Sequence, residues 1–450
     1  MTLTPHSSAR SAPHSSIGIG LLGMGVVGGG VAQIIASKQS HLQDMVGCPV
    51  ELRGVLVRDP SRPRAIDLPD GLITTDPTDV LDNPEVDILV ELIGGEEPAR
   101  EYIFNAMSSR KHIVTANKEV MARHGFDIQK YARRQGVRVL FEAAVAGGTP
   151  IIAPLVRDLV ANDVVTIHGI INGTTNYILT RMEQDGADFG DALTEAQRLG
   201  YAEADPTNDI EGIDAAYKLA ILATLGFRER VTDDDVFHEG ITRLTSRDFQ
   251  YARELGYAIK LLGIASVDKG SLQVRVHPAF VREDAMIAKV NGVLNAVEIQ
   301  TDLAGKLLFH GAGAGAMPTT SAVIADIVDI ARHIGAGAHD SAQPESADRG
   351  SDRGGMGAVR PISELETRYY IRLTAADRPG VLAQVGGVFA EHDISIASAI
   401  QKETDEVAQR AEIVLMTHRA NEAAMQQAIL ELEALETVAE VGNLVRVEEW

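Results

Sequence analysis

The chain has 450 residues and carries 41 basic and 63 acidic side chains, for a formal net charge of −22. So acidic a chain would be repelled by nucleic-acid backbones and anionic membrane surfaces, and no basic patch compensates for that charge. Its 45% apolar and 23% charged residues are typical of a globular protein, and its one cysteine, Cys48, excludes an intramolecular disulfide and a multi-cysteine zinc site. We expect a cytoplasmic protein with no nucleic-acid or membrane partner.

The first 150 residues combine a short leader with one predicted domain. Residues 1–16 have no apolar run and are expected to be disordered. Order is predicted to begin at Ile17 with the strand IGIGLL, and strands then alternate with helical stretches; the further strands are predicted at 50–59, 86–94, 112–116 and 137–143. This alternation is typical of a doubly wound parallel α/β sheet, so residues 17–150 are expected to form a domain of that class.

Two further regions follow, separated by a linker. Residues 151–335 mix long helices with alternating strands, which predicts an α+β domain ending in a helix with Pro318 near its first turn. Residues 336–360 are rich in Gly, Asp, Ser and Arg, so a flexible linker is expected. Residues 361–450 follow the strand and helix order of a ferredoxin-like βαββαβ module. We expect that module to be acidic and separable.

A glycine cluster, GLLGMGVVGGG, follows the first predicted strand and opens a helix. Gly23, Gly25 and Gly28 match the G-x-G-x-x-G spacing, in which glycines let a pyrophosphate approach the backbone at a helix N-terminus. Because a strand precedes the motif and four strands follow it, we predict a dinucleotide site rather than a chance run of glycines. The residues expected to contact the dinucleotide here are Gly23, Met24, Gly25, Val26, Val27 and Gly28.

The residue that closes the second strand normally meets the adenosine ribose, and here Arg58 is followed by Asp59. An arginine suits a 2′-phosphate, whereas an acidic residue suits a 2′-hydroxyl. The sequence offers both, and a solvated turn is the alternative. We favour NADP(H), bound through Arg58, with NAD(H) tolerated.

Two more polar residues follow predicted strands. Lys118, in TANKE, lies just past the carboxyl end of a strand, where ligands bind in open α/β sheets, although a surface lysine at a helix start would look the same. Glu142 precedes AAVAGGTP, whose small residues leave backbone carbonyls open, and a carboxylate with carbonyls suits a hard cation. A glycine loop leading into a helix begun by Pro150 is an equal alternative for this segment.

The strongest local signal is the segment GYAEADPTNDIEGIDAAYKLAILATLG. Asp214 and Lys218 are four residues apart and share one face of a helix that is apolar almost all round. Charges in a buried helix are costly unless they are paired, and buried pairs cluster at active sites. Upstream, Glu203, Asp205 and Asp209 form a carboxylate cluster able to receive an ammonium group, with N-capping and a solvated loop as the alternative.

With these motifs, the chain resembles bacterial homoserine dehydrogenases of the form that has no aspartate kinase and carries a C-terminal ACT domain. The resemblance covers residues 17–450 and rests on GLLGMGVVGGGV, TANK, EAAVAGGTPII, NGTTNYI, GYAEADPTNDIEGIDAAYK and GAGAGAMPT. It implies a Rossmann dinucleotide-binding domain, an α+β catalytic and oligomerisation domain whose last helix returns to the Rossmann domain, and a ferredoxin-like ACT domain. The implied reaction is the reversible NAD(P)H-dependent reduction of L-aspartate 4-semialdehyde to L-homoserine, on the route to threonine and methionine.

The resemblance also implies residue roles. Lys218 would donate a proton to the substrate carbonyl, and Lys118 would be a second active-site lysine, placed between cofactor and substrate. Glu203, Asp209 and Asp214 would hold the amino end of the substrate, and Asp214 is counted with the catalytic residues. Gly200 and Gly315 would contact the cofactor, and a structural sodium ion would be bound by Glu142, Val145, Gly147 and Thr149.

The C-terminal module resembles an ACT domain with DRPGVL (377–382) as its ligand loop. By that resemblance it senses an amino-acid end product, with L-threonine as the expected inhibitor, and pairs across subunits, so a homo-oligomer (dimer or tetramer) is expected. Two alternatives are another ACT-containing amino-acid-pathway dehydrogenase, such as phosphoglycerate or prephenate dehydrogenase, and a non-catalytic sensor of cofactor and amino acid. The former rely on a catalytic histidine, and the latter would lack Lys118 or Lys218, which are both present.

Overall fold

The computed structural model describes residues 15–64, 66–268, 270–336, 359–405 and 409–449. Most of the predicted leader, 1–16, and of the predicted linker, 336–360, lies outside these residues. The chain forms two compact units; the first holds the described residues up to 160 together with 314–336, and the second holds 161–313 together with 359–449. No helix in the described part of the chain has the length and apolar character needed to cross a bilayer.

The first unit is built on a six-stranded parallel sheet in the order β3-β2-β1-β4-β5-β6. Its strands are β1 (Ile17–Leu22), β2 (Val50–Leu56), β3 (Ile73–Thr74), β4 (Ile88–Glu91), β5 (His112–Thr115) and β6 (Val139–Leu140). Its first helices are α1 (Val26–Ser37), α2 (Gln39–Val46), α3 (Thr78–Leu81), α4 (Ala99–Ser108) and α5 (Lys118–Gln135). Every residue of β1 is buried, as in a sheet covered on both faces. The predicted doubly wound α/β sheet is confirmed.

The strands of this sheet are shorter than their apolar runs predict. Of the runs predicted at 50–59 and 86–94, only 50–56 and 88–91 pair as strands, because the chain turns toward helices at the carboxyl end of the sheet. The pattern also gives no sign of β3, since two residues are too few to show alternation.

The segment 161–313 belongs to the second unit and is followed by a helix that belongs to the first. Its strands are β7 (Val164–Ile170), β8 (Phe237–His238), β9 (Tyr257–Asp268), β10 (Ser271–Arg282), β11 (Leu294–Thr301) and β12 (Lys306–Ala312). Its helices are α6 (Gly173–Asp185), α7 (Phe189–Arg198), α8 (Thr207–Ile210), α9 (Ile213–Phe227) and α10 (Ser246–Glu254). Helix α11 (Ala316–Gly335) then packs against α1, where a Cβ atom on Gly30 would lie 2.3 Å from Thr320 Oγ1.

Residues 359–449 have the predicted ferredoxin-like order, with one extra two-residue strand. The elements are β13 (Glu366–Ala376), α12 (Val381–Glu391), β14 (Ile396–Asp405), β15 (Arg410–Thr417), β16 (Ala420–Asn421), α13 (Glu422–Ala434) and β17 (Val438–Glu448). Their main strands pair in the order β17-β13-β15-β14. Both helices bury apolar side chains against this sheet, in a core that includes Val385, Phe389 and Met425.

The second unit is held together by one continuous sheet. Its strands run β12-β11-β7-β9-β10-β17-β13-β15-β14, and β10 pairs with β17 in parallel, Ala279 opposite Arg446 and Val281 opposite Glu448. The rings of Phe280 and Tyr370 stack across this junction with centroids 4.5 Å apart. The C-terminal module, expected from the sequence to be separable, is therefore joined edge to edge to the preceding α+β region.

Candidate active site

The turn between β1 and α1 requires glycine at two positions. Gly23 has a φ of +92°, and a Cβ atom there would lie 2.8 Å from the carbonyl oxygen of Leu92. A Cβ atom on Gly28 would lie 2.1 Å from the carbonyl oxygen of Gly23. Gly25 precedes α1 without a side-chain cap, and the adjoining Val26 is 74% exposed. The first N–H groups of α1 are thus left for an anion, which fits the pyrophosphate of a dinucleotide.

The turn after β2 uses Asp59 and leaves Arg58 outside its hydrogen bonds. Asp59 accepts hydrogen bonds from the backbone N–H (2.9 Å) and the hydroxyl (2.7 Å) of Ser61, which hold the pKa of this carboxyl below its ordinary value. Arg64 donates to carbonyl oxygens of the same turn. Arg58 is exposed, and its guanidinium has no hydrogen bond or ion pair with any other described residue.

A fully buried carboxylate organises the loops at the carboxyl edge of this sheet. Glu91, the last residue of β4, accepts hydrogen bonds from the Thr115 hydroxyl (2.6 Å) and the Ile93 backbone N–H (2.9 Å). Burial raises the pKa of Glu91, and these hydrogen bonds offset only part of that shift. Asn117 caps α5, of which Lys118 is the first residue. Glu91 is not among the predicted site residues; its only signal is one acidic side chain inside the apolar run VDILVELIG.

Glu142, the predicted cation ligand, lies in a 3₁₀ turn and caps the backbone that follows. Its carboxylate accepts hydrogen bonds of 2.6, 2.8 and 2.7 Å from the backbone N–H groups of Ile151, Ile152 and Ala153. Thr149 Oγ1 is buried without a hydrogen-bond partner among the described residues. Among all the residues that the structure describes, no group of three or more His, Cys, Asp or Glu side chains is arranged to hold a metal ion. Any cation here would depend on one carboxylate, a hydroxyl and backbone oxygens.

Asp326 of α11 is a second buried carboxyl beside this turn. Its Oδ2 accepts a hydrogen bond of 2.9 Å from the backbone N–H of Glu142. Burial raises the pKa of Asp326 to about 8. This residue is absent from the predicted site because its apolar neighbours in SAVIADIVDI indicate only a packed helix.

On α9, Asp214 and Lys218 form the buried pair expected from their spacing. Lys218 Nζ lies 2.7 Å from Asp214 Oδ2, and the two side chains are 13% and 3% exposed. The same Nζ donates to the carbonyl oxygen of Ile171 at 2.8 Å. Gly212, whose φ is +80°, lets the chain turn from α8 into α9 and so brings the Asp214 end of the helix next to α8. A carbonyl and a carboxylate therefore orient one ammonium group.

Asp209 of α8 joins this pair through Asn172, which is not among the predicted site residues. Asn172 Nδ2 donates to Asp209 Oδ1 at 2.7 Å and to Asp214 Oδ2 at 2.8 Å. Burial raises the pKa of Asp209; the hydrogen bond from Asn172 opposes this shift, and the charge of Asp214 adds to it. The sequence signal is the motif NGTTNYI, but an asparagine before a helix is common as a cap.

The other predicted substrate and cofactor residues lie outside this cluster. Glu203 is exposed, and its carboxylate has no hydrogen bond or ion pair within the described part of the chain. Asp205 lies in the turn before α8 and accepts hydrogen bonds from the backbone N–H (3.1 Å) and the hydroxyl (2.6 Å) of Thr207. Gly200 has a φ of +76°, with open space where a Cβ atom would lie. Gly315, in the first unit, has a φ of +121° and precedes α11.

The second unit thus presents an oriented ammonium beside two carboxylates. An ammonium can stabilise negative charge developing on an oxygen and transfer a proton to it. Carboxylates held by neutral donors can bind the ammonium group of a ligand. The first unit presents an uncapped helix N-terminus behind a glycine turn, which suits a dinucleotide phosphate.

Family models match almost all of the chain outside its termini and the predicted linker. A model described as homoserine dehydrogenase matches residues 150–328, and one described as the NAD-binding domain of homoserine dehydrogenase matches 23–142. An ACT domain model matches residues 369–437.

Individual homoserine dehydrogenases are similar to most or nearly all of the chain. A homoserine dehydrogenase from Synechocystis sp. is 44% identical over 436 residues, which cover 96% of this chain and 99% of the relative. The solved structure of a homoserine dehydrogenase from Thiobacillus denitrificans is 44% identical and covers 96% of this chain and 98% of its own, with a TM-score of 0.89. A hyperthermophilic archaeal homoserine dehydrogenase in complex with NADPH is 28% identical, with a TM-score of 0.59, and covers 70% of this chain and 97% of its own.

Proposed function

The chain belongs to the homoserine dehydrogenase family, and we propose the residue roles, cofactor preference and regulation that follow for it. It is an NAD(P)-dependent oxidoreductase that interconverts L-aspartate 4-semialdehyde and L-homoserine in amino-acid biosynthesis. Because the chain is similar to homoserine dehydrogenases over nearly its whole length, we reject the alternative of a phosphoglycerate or prephenate dehydrogenase. The observation that carries the proposed mechanism is the buried Lys218–Asp214 pair, with Nζ 2.7 Å from Oδ2.

Lys218 is the proton donor in the direction of aldehyde reduction. Addition of hydride to a carbonyl places negative charge on its oxygen, and an ammonium within hydrogen-bond reach stabilises that charge and supplies the proton. Bound NAD(P)H supplies the hydride. Asp214 and the Ile171 carbonyl hold the Lys218 ammonium in one orientation. In the reverse direction, the neutral amine of Lys218 accepts the hydroxyl proton of homoserine and becomes the ammonium again. Lys118 is the second active-site lysine.

The substrate ammonium is bound by carboxylates of the segment 203–214. Asp209 and Asp214 are already held side by side by Asn172, so they form a ready acceptor for a cation. Glu203, the first residue of this segment, is exposed, and we assign it to the same group of substrate ligands. Carboxylate-to-ammonium hydrogen bonds are charge-assisted and therefore stronger than neutral ones.

The dinucleotide is held at the β1–α1 turn, with Gly200 and Gly315 as further contacts, and NADP(H) is preferred to NAD(H). The glycine positions fit this group because Cβ atoms at Gly23 or Gly28 would collide with the backbone of the turn or its neighbour. Arg58 is exposed and unused by the turn, whereas Asp59 is occupied by Ser61. A family neighbour is described in complex with NADPH, which agrees with this preference.

A structural sodium ion is held by Glu142, Thr149 and the backbone of Val145 and Gly147. The donor set fits a hard monovalent cation, because all its ligands are oxygens and the buried Thr149 Oγ1 has no hydrogen-bond partner among the described residues. The Glu142 carboxylate has lone pairs left beyond its three backbone hydrogen bonds. The cation would fix the loop 142–149 and takes no part in proton transfer.

The ACT domain regulates the enzyme by binding an amino acid, with L-threonine as the effector. Support comes from the match of the ACT model to residues 369–437 and from the junction of β17 with β10, which links the domain to the catalytic region. We further propose a homo-oligomer, a dimer or a tetramer, in the cytoplasm, where a lone half-buried Cys48 is compatible with a reducing environment.

The assay that tests this function follows NADPH absorbance with L-aspartate 4-semialdehyde, in the presence and absence of L-threonine. NADPH is expected to be consumed, faster than NADH, and L-threonine is expected to slow the reaction. Absence of consumption with either cofactor would overturn the proposed function. Loss of the cofactor difference or of the threonine effect would overturn only those two proposals.

A further inference from the structure

The orientation of the Asn172 amide is fixed by its neighbours. Asn172 caps α6, and its Oδ1 accepts hydrogen bonds from the backbone N–H (2.8 Å) and the hydroxyl (3.0 Å) of Thr175. Because a backbone N–H can only donate, the amide oxygen must face Thr175 and the NH₂ group must face away. Both N–H bonds of that group are used, one to Asp209 at 2.7 Å and one to Asp214 at 2.8 Å.

The shared donor matters because two carboxylates lie beside each other in a buried place. A neighbouring negative charge and burial both favour protonation of a carboxyl, whereas a hydrogen bond to the ionised form favours ionisation. The charged groups that act on Asp209 are Asp214 and Lys218, both on α9. Asn172 is the neutral group that donates to both acids at once, so it stabilises the state in which both are ionised.

The same residue also fixes the second acceptor of the Lys218 ammonium. The carbonyl oxygen of Ile171, next in the chain to Asn172, accepts from Lys218 Nζ at 2.8 Å. The Asn172 side chain ties this stretch of backbone to the start of α6 and to α9. The position of the ammonium relative to both of its acceptors therefore depends on Asn172, which is 5% exposed.

We propose that Asn172 is a positioning residue of the dehydrogenase reaction: its amide holds Asp209 and Asp214 at a fixed separation, so that both can receive the substrate ammonium while Asp214 also orients Lys218. This inference rests on the roles proposed above for these residues. Asn172 itself neither transfers a proton nor contacts the cofactor in this assignment. Its contribution is to hold two like charges in place beside the ammonium groups of the substrate and of Lys218.

Two substitutions separate positioning from helix capping. Asn172→Asp keeps the shape and the capping oxygen but loses both N–H donors, and Asn172→Ser keeps a short capping oxygen without adding charge. The matched control is Asn421→Asp, because Asn421 caps α13 by accepting from Ala423 (3.0 Å) and Ala424 (3.3 Å) backbone N–H groups. Thermal unfolding and NADPH binding are measured for every variant, so that folding and cofactor affinity are known.

Both Asn172 variants are expected to lose about 100-fold in kcat/KM for homoserine, since a misplaced catalytic group costs that much. NADPH binding should stay at its wild-type strength. The acid side of the pH profile of kcat/KM should move up by about one pH unit or more, because the carboxylates lose a donor that favours ionisation. Asn421→Asp should match the wild type in all of these quantities.

Two results would overturn the proposal. One is a wild-type kcat/KM in both folded Asn172 variants; the other is lost activity with an unmoved pH profile, which would make Asn172 a support of the fold alone. If Asn172→Asp does not fold, the kcat/KM and the pH profile of Asn172→Ser alone test the proposal. Lys218→Met is assayed in parallel: if it retains turnover, the proposed role of Lys218 is wrong, whereas an inactive Lys218→Met beside normal Asn172 variants rejects only the present inference.

Discussion

Arg372 Nε donates a hydrogen bond of 2.7 Å to Asp248 Oδ1, and this ion pair joins β13 of the ACT domain to α10 of the catalytic domain. Asp248 is fully buried, and the Arg372 side chain is 9% exposed. The Tyr370 hydroxyl and the Asn443 amide donate to the same carboxylate, and Arg372 also reaches Glu412 at 3.3 Å. A buried ionic network therefore joins the ACT domain to the catalytic domain, in addition to the pairing of β10 with β17.

Removing the charge of Asp248 is expected to destabilise the protein. Asp248→Asn leaves the Arg372 guanidinium buried with part of its compensating charge gone, so the free energy of unfolding should fall by about 3 kcal/mol. Urea unfolding at neutral pH measures the change. Asp284→Asn is the control, because Asp284 pairs with Arg282 on the surface and its loss should cause no measurable change. Equal stability of Asp248→Asn and the wild type would contradict this prediction.

Acid should destabilise the protein partly through His277. This residue of β10 is fully buried, and burial, together with the charges of Arg446 and Arg275, lowers its pKa from 6.5 to about 3. Between these values the unfolded chain binds a proton that the folded chain does not, so the stabilisation is present above 6.5 and is lost as the pH falls toward 3. The slope due to this residue is about 1.4 kcal/mol per pH unit.

Urea unfolding at several pH values between 7 and 4 measures that slope. His277→Gln should show a shallower loss of stability with falling pH, because its side chain does not titrate. Exposed His310 serves as the control, and His310→Gln should keep the wild-type slope. Parallel pH dependences for wild type and His277→Gln would show that His277 takes no part in acid destabilisation.

The sequence predicts those parts of the molecule that depend on local spacing. Alternating apolar runs predict the parallel sheet, and the i, i+4 spacing of Asp214 and Lys218 predicts their pairing because both lie on one helix. The glycine turn is predicted for the same reason, since Gly23 and Gly28 act within a few residues of each other. Each of these features is settled by neighbours in the chain.

Contacts between distant segments leave no comparable pattern. Asn172 meets Asp209 and Asp214 only because α6, α8 and α9 pack together, and nothing in NGTTNYI specifies those partners. The pairing of β10 with β17 joins strands far apart in sequence, and an alternating strand is compatible with many neighbours. Glu91 likewise needs the loops after β4 and β5 to be in place before its role is visible.

Arg58 is expected to set the cofactor preference. Replacing it with Ser removes a charge-assisted hydrogen bond to the 2′-phosphate, so KM for NADPH should rise by about 10- to 100-fold while KM for NADH changes little. Steady-state kinetics with both cofactors measure this ratio. Arg62→Ser is the control, because Arg62 is also exposed in the same turn. If Arg58→Ser raises both KM values equally, Arg58 has no part in reading the 2′-phosphate.

Inhibition by L-threonine should depend on the backbone at Gly380. This residue precedes α12 with a φ of +94°, and no atom lies within 4 Å of the position that a Cβ atom would take. A valine there would both strain the turn and fill the space beside the ligand loop, because β-branched residues rarely adopt positive φ. Gly380→Val should therefore lose the difference between rates measured with and without L-threonine.

The matched control for this loop is Gly387→Val. Gly387 lies in α12, the helix that follows the loop, is exposed, and also has open space around its Cβ position. Its φ is not positive, so the substitution does not force the backbone out of the helix. The rate ratio with and without L-threonine is measured within each variant, which removes any difference in basal turnover. If Gly380→Val remains as sensitive to L-threonine as Gly387→Val, the effector does not bind at the loop 377–382.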